Sequence, residues 1–415
     1  MKKLVTTRLK YIFDDIFKGK TPIYSEEETN YIILGQRNNS KRGIDFNECK
    51  FTNEFFFNGR EEKEFLKYGD IIINSLGGGT CGRVGFYDIN DSIKVLTDGI
   101  PFILRNKKFN KYYYYGLVTN QKRLEELALG ATNQLSLKDT DLYNFKINIL
   151  EDEKDQQIVS DFLDNECKKI NVAIRNIEEE INKLDIYKKS LIIKATTKGL
   201  YEDRNLKRSN IDYIGEIPED WNIHPVYMFF EEGKNKNSAC KEQNLLSLSY
   251  GNIIRKDINT NGGLLPSSFS TYNIVECGDI IIRPTDLQND KKSLRTGLVK
   301  EHGIITSAYI DLQPKEHVNS DYFHYLLHAY DVMKVFYNMG NGVRQGLNYS
   351  EFAKLLLLCP SDNEQQEIVS FLDNKCSKID AIIIKKKEQL ELFESYKQSI
   401  IYEYVTGKKE ITANE

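Results

Sequence analysis

The sequence predicts an α+β protein. Two β-rich domains with short helices alternate with two long helices, and the helices pack as an antiparallel coiled coil about an approximate two-fold axis. Three observations lead there. The chain resembles itself at a separation of about 209 residues. The stretch ahead of each repeated segment consists of short β-branched and aromatic runs broken by Gly, Asn and Asp. The repeated segments themselves carry apolar residues at alternating spacings of four and three.

Residues 1–150 read as the first globular domain. Tyr31-Ile32-Ile33-Leu34, Asp70 to Asn74 and Val84-Gly85-Phe86-Tyr87 are strand-like and separated by turn residues. Gly77, Gly79 and Gly82 have the spacing of a dinucleotide-binding loop. A phosphate site needs a helix N-terminus after the loop, and Arg83-Val84-Gly85-Phe86-Tyr87-Asp88 reads as strand instead. A glycine-rich connection between strands is the better account, and it also lets backbone approach a partner closely.

Residues 151–200 read as a helical spacer. Ile170, Ile174, Ile177, Ile181, Leu184 and Leu191 form its apolar seam, which Lys188 interrupts. Residues 201–360 read as the second domain and 361–410 as the second spacer. There Ile379, Ile383, Leu390, Phe393 and Ile400 take the matching places, and Lys386 and Lys397 interrupt. The repeat is clearest in the spacers. Asp155-Gln156-Gln157 and Phe162-Leu163-Asp164-Asn165 return as Glu364-Gln365-Gln366 and Phe371-Leu372-Asp373-Asn374. Tyr187-Lys188-Lys189-Ser190 returns as Tyr396-Lys397-Gln398-Ser399. Further upstream, Gly69-Asp70-Ile71-Ile72-Ile73 matches Gly278-Asp279-Ile280-Ile281-Ile282. A repeat of this length means duplicated domains rather than a solenoid. Two helices with apolar stripes must bury them, and pairing them antiparallel is the simplest way.

Composition narrows the class. Hydrophobic content of 40% and charged content of 28% are those of a globular protein. No apolar run reaches the roughly 18 residues of a membrane span. The first ten residues have no apolar core like that of a secretory signal. The seven cysteines are scattered, without Cys-x-x-Cys pairs, so a cytoplasmic, reducing location is expected. A net charge of −4 argues against simple coating of nucleic acid, although local basic loops suffice to contact phosphates. His324 and His328 lie four apart without a third ligand, so no metal site is expected and two helix-surface or satisfied histidines are. Cys167 and Cys376 occupy equivalent helical places and are expected to pack rather than react. No Walker loop or Asn-Pro-Pro-Tyr-type methyltransferase motif is present.

Ile211-Asp212-Tyr213-Ile214-Gly215-Glu216-Ile217-Pro218-Glu219-Asp220-Trp221 resembles the leader that opens a target-recognition domain in the specificity subunits of type I restriction–modification systems. The run from Glu364 to Asp373 and the closing Val405-Thr406-Gly407-Lys408 resemble the same family. The order is domain, helix, domain, helix, so the resemblance covers essentially the whole chain. The first domain departs from it by lacking the leader and starting almost at once with Leu9-Lys10-Tyr11-Ile12-Phe13. The resemblance implies a noncatalytic DNA-binding subunit in which each target-recognition domain reads one half of a bipartite, asymmetric double-stranded site. It implies that the helices fix the gap and dock two modification subunits, which bind S-adenosylmethionine and methylate adenine. It places ATP- and Mg-dependent cleavage on separate restriction subunits and no cofactor on this chain. A seam helix of about 28 residues spans roughly 42 Å, close to one turn of DNA.

Base reading needs paired donors and acceptors on protruding loops, Arg for guanine and Asn or Gln for adenine. In the first domain the candidates are Gln36, Arg37, Asn38, Asn39, Lys41 and Arg42, then Arg83, then Thr132, Asn133 and Gln134. In the second they are Asn252, Arg255 and Lys256, then Arg283, Gln288, Asn289, Lys291, Lys292 and Arg295, then Asn341, Arg344 and Gln345. Lysines are expected on phosphate, where they position without specifying. A coiled-coil adaptor would instead show no salt-dependent DNA affinity with any partner. A self-sufficient nucleic-acid enzyme would need a carboxylate, metal or cofactor constellation that the sequence does not offer. Partner-facing apolar surface predicts that the isolated chain is poorly soluble. Size-exclusion chromatography checks this, and a monodisperse chain without partners would count against it.

Overall fold

The computed structural model describes residues 3–40, 42–89, 93–108, 111–130, 135–258, 266, 268–285, 287, 294–335, 339 and 346–411. It divides into two compact units, residues 1–178 with 387–415, and residues 179–386. Each unit therefore combines one β-rich region with a segment of both long helices, Glu153–Lys198 and Asp362–Val405.

The first unit centres on a four-stranded antiparallel sheet in the order Asp15–Lys18, Phe102–Arg105, Ile71–Ile73, Val84–Phe86. The isoleucine run is buried on both faces, which is why it reads as continuously apolar rather than alternating. The turn before it is closed by Asp70, whose carboxylate accepts from Lys67 N at 2.8 Å. A two-stranded ribbon, Leu4–Arg8 with Lys146–Leu150, flanks the sheet. Ile32–Leu34 runs parallel to Val95–Thr97 and antiparallel to Lys50–Thr52.

The second unit repeats this frame. Its sheet runs Phe230–Glu232, Ile310–Pro314, Ile280–Ile282, Thr296–Leu298, and Asp279 closes the turn by accepting from Glu276 N at 2.7 Å. The flanking ribbon is Asn222–Pro225 with Leu356–Cys359. The Gly-Asp-Ile-Ile-Ile motif thus marks the same buried strand in both halves.

The helices pair antiparallel within each unit. In the first, Phe162 stacks on Tyr404 and Lys397 Nζ donates to Asn171 Oδ1 at 2.8 Å, so numbers rise on one helix as they fall on the other. In the second, Lys386 pairs with Glu180, and Lys188 with Asp380 at 2.7 Å. Each lysine that interrupts the sequence pattern thereby finds a polar partner across the seam. Cys167, Ile170, Ile174, Ile177, Cys376, Ile379 and Ile400 are buried, and Ile181, Leu184, Leu191, Ile383, Leu390 and Phe393 are half-buried. A stripe covered by one partner helix alone is only partly shielded, and the lysines stand in such stretches. Both helices end on a glycine in left-handed backbone, Gly199 at φ 75° and Gly407 at φ 65°, a conformation that stops the helix at no steric cost.

Tyrosines tie each β-rich region to its helices. Tyr115 Oη donates to Asp164, and Tyr325 Oη to Asp373 at 2.7 Å. These aspartates belong to the repeated Phe-Leu-Asp-Asn motif, and its leucines, Leu163 and Leu372, are fully buried. The leader ahead of the second region fastens onto the second long helix. Trp221 is fully buried and donates its indole N–H to Glu364 at 2.9 Å, while Arg204 bridges Glu364 and Asp220. The first region is fastened by Tyr112, whose hydroxyl accepts from Leu150 N and donates to Val405 O at 2.8 Å.

Leu372→Ala is expected to lower stability by about 2–5 kcal/mol through lost burial and a residual cavity. Leu392→Ala, at a residue 70% exposed, should change it by less than about 0.5 kcal/mol. Urea unfolding followed by circular dichroism checks the contrast.

Candidate nucleic-acid interface

In the first unit two of the polar loops are stitched into one surface. Gln36 Oε1 accepts from Leu76 N at 2.8 Å, and Asn74 Nδ2 donates to Gln36 O at 3.1 Å. Arg83 reaches back, its Nη1 donating to Asn39 O at 3.1 Å and its Nη2 to Gly79 O at 3.3 Å. The glycine-rich loop leads into the strand Val84–Phe86, as its sequence indicates, rather than into a helix. Gly77 N donates to Leu135 O at 2.9 Å, a backbone tie on the same loop.

Arg37 projects to solvent from the short helical turn Gln36–Asn38. Arg42 is exposed at the tip of a small hairpin, Asn39–Ser40 with Gly43–Ile44, and pairs with Glu178 of the first long helix. Lys41, Thr132, Asn133 and Gln134 lie outside the described residues.

Two first-domain candidates are corrected. Asn38 is buried, accepting from Gly35 N at 2.8 Å and donating to Asp45 O at 2.9 Å, so it closes its own turn. Asn39, 1% exposed, donates to Asn74 Oδ1 at 3.0 Å and to Arg83 O at 3.1 Å. Both build the loop rather than face out of it. Asn74, at the hub of these contacts, is a residue that sequence reasoning placed only at a strand end.

In the second unit the equivalent hairpin is longer, Leu246–Ser249 with Asn252–Arg255. Asn252, Arg255 and Lys256 are exposed on its outgoing side. Arg255 Nε is held by both carboxylate oxygens of Glu301, at 2.8 and 2.7 Å. The hairpin lies against Gly297, where a Cβ would come within 2.6 Å of Leu248 Cδ1 and 2.9 Å of Ile253 Cδ1. Gly85 has the same role in the first unit, with Asn39 pressed against it. Tyr250, 80% exposed at the hairpin tip, was not among the sequence candidates, because Tyr-Gly is not one of the pairs that mark a two-residue hairpin turn.

Arg283 is half-buried. Arg295 is corrected: it is fully buried, and its guanidinium donates to Thr285 O at 2.6 Å. Leu347 N donates to Pro284 O at 3.0 Å. Gln288, Asn289, Lys291, Lys292, Asn341, Arg344 and Gln345 lie outside the described residues.

Near the hairpin, His302 sits between two carboxylates, Nδ1 at 2.9 Å from Glu276 and Nε2 at 3.0 Å from Glu242. The Glu276 hydrogen bond leads in raising its pKa above the usual imidazole value. His324 and His328 stand on the helix Ser320–Val332, with ring centroids 6.3 Å apart. Burial leads in pushing them down to about 3 and about 4, and cationic neighbours add to it. Both are neutral near pH 7, and among the described residues His324 Nε2 meets no hydrogen-bond partner, where the sequence suggested helix-surface or satisfied histidines. Burial also raises the Cys167 and Cys376 thiols, which suits packing. Among the described residues no cluster of His, Cys, Asp and Glu could hold a metal ion, and no helix is long and apolar enough to cross a membrane.

Comparison with known proteins follows the same frame. The family model described as type I restriction modification DNA specificity domain matches residues 1–183 and 295–392. The chain is 26% identical over 420 residues to the putative type I restriction enzyme MjaX specificity subunit of Methanocaldococcus jannaschii, covering 96% of this chain and 92% of that one. It is 29% identical over 223 residues to the type I restriction enzyme MjaVIII specificity subunit of the same organism, covering 52% and 45%. A chain in the solved structure reported as the structural basis underlying complex assembly and conformational transition of the type I R-M system shares the fold. It has a TM-score of 0.67 at 12% identity over 98% of both chains.

The His302 geometry has a pH consequence. Its folded pKa lies above the unfolded value, so the contact's stabilisation is complete below about pH 6.5 and is lost as pH rises through the folded pKa. In an NMR titration of ring protons His302 should titrate above the usual value and fall toward it in Glu276→Gln. His324 and His328 should remain neutral until well below pH 6.

Proposed function

The chain belongs to the type I restriction modification DNA specificity family, and from that premise we propose how its parts divide the reading of DNA. It is a noncatalytic specificity subunit whose role is DNA sequence recognition. Residues 1–150 and 201–360 are the two target-recognition domains, each reading one half of a bipartite, asymmetric site. The spacers 151–200 and 361–410 set the unread gap and dock two modification subunits. Restriction subunits join that assembly for cleavage.

One observation carries this reading. Both units use the same four-stranded frame, and each presses a hairpin on a glycine of the same strand, yet the exposed chemistry differs. The first unit offers Arg37 and Arg42, and the second offers Asn252, Arg255 and Lys256. Two readers on one frame with unlike tips suit two unlike half-sites. Docking is supported by apolar side chains left open on the long helices. Tyr187 and Tyr396 occupy equivalent repeat positions and are each 54% exposed. Ile186, next to Tyr187, and Leu392, four residues before Tyr396, are exposed as well. An exposed tyrosine at the same repeat position of each helix suits two copies of one partner.

Co-expression with a modification subunit, followed by mapping of N6-methyladenine in host DNA, tests the proposal. A split motif that vanishes when this chain is omitted is the expected result. Exchanging residues 1–150 for those of a relative should change one half of the motif and leave the other and the gap unchanged. Methylation that ignores the exchange would overturn the division of labour.

A further inference from the structure

The hairpin of the second unit carries a feature that its folding does not explain. Ser249 pairs with Asn252, so Tyr250 and Gly251 alone form the turn. Their φ angles of 47° and 80° are both left-handed, as a type I′ turn requires. Asn-Gly takes that turn readily, whereas a tyrosine meets steric resistance from its own Cβ. The ring also gains nothing by burial, because Tyr250 is 80% exposed. The contacts that seat the hairpin come from elsewhere. Leu246 is buried in its own small core, and Leu248 and Ile253 rest on Gly297. Leu294 backs Gly251, and Glu301 clasps Arg255. A firmly seated two-stranded ribbon therefore holds an aromatic ring out into solvent, in a backbone conformation that ring disfavours. Strained and exposed together point to a use outside the fold.

A two-stranded ribbon has the width to enter the DNA major groove, where the thymine methyl is the apolar mark on a base edge. We propose that Tyr250 is a specificity-determining residue whose ring meets a thymine methyl in the half-site read by the second domain. This rests on the reading of residues 201–360 as a DNA-reading domain. Asn252, exposed two residues on, lies within the same ribbon end and offers an amide for a neighbouring adenine. The corresponding hairpin of the first unit differs at its tip, where Arg42 is drawn to Glu178.

The test uses the complex with a modification subunit and three chains: wild type, Tyr250→Phe and Tyr250→Asn. Methylation rates are measured on duplexes in which each thymine of the second half-site is replaced in turn by deoxyuridine, which lacks only the methyl. Wild type and Tyr250→Phe should slow about fourfold at one position, the worth of one buried methyl group. Tyr250→Asn should lose that discrimination and accept other bases there. It should keep the first half-site and melt no lower than wild type, since Asn-Gly suits the turn. Full discrimination by Tyr250→Asn would overturn the proposal. So would a loss in Tyr250→Phe equal to that in Tyr250→Asn, which would assign the contact to the hydroxyl, or a wild type indifferent to every deoxyuridine. A wild-type complex that methylates nothing would instead overturn the DNA-reading role beneath it.

Discussion

The register of the paired long helices is the constraint on which the rest depends. A lysine on a packing stripe is tolerable only where its ammonium finds an acceptor. Lys188 finds Asp380, and Lys397 finds Asn171, two contacts that are repeat mates of each other. A slip of one helical turn would set Lys188 opposite Cys376 or Ile384, and Lys397 opposite Cys167 or Arg175. A half-exposed ion pair such as Lys188–Asp380 adds little stability, about 0–1 kcal/mol, and a lysine–amide hydrogen bond is no stronger. Their contribution is to choose one alignment among several that an apolar stripe alone would permit. The tyrosine ties at Asp164 and Asp373 then hang each β-rich region from a helix whose partner is already fixed.

The two units show how far a shared frame can diverge inside. In the first, Asp70 is buried but faces Arg105, which binds both its oxygens at 2.7 and 2.6 Å. In the second, Gln313 stands at the register position of Arg105, and a second carboxylate, Asp311, joins Asp279. Without a guanidinium, burial pushes Asp279 up to about 6 and Asp311 up to about 8. The second sheet therefore keeps a proton near neutral pH where the first keeps an ion pair. The backbone ladder is indifferent to the exchange, because strand pairing is carried by main-chain groups.

Much of the architecture was legible in the sequence because its signals are local and occur twice. The Gly-Asp-Ile-Ile-Ile strand and the spaced apolar stripe each read the same way in two places. The loops were less legible. Asn38, Asn39 and Arg295 have the residue types of base readers, but their fate is decided by partners far along the chain, such as Asn74, Asp45 and Thr285. Sequence shows that a polar side chain is present and not which carbonyl it will meet. Tyr250 was overlooked for the opposite reason. Its type suggests a core residue, and only the backbone conformation and exposure reveal that it is held outward.

Seating each hairpin on a glycine, Gly85 or Gly297, separates where the ribbon stands from what its tip says. Any side chain at those glycines would lift the whole ribbon, whereas the tip residues touch little of the frame. Heritable change in this molecule should therefore be sharply graded by position. A handful of tip codons can wander through many meanings without endangering the fold, while two silent-looking glycine codons guard the pose of every one of them. Such a layout lets a lineage acquire new vocabulary in single steps and confines lethal errors to a few letters of the gene.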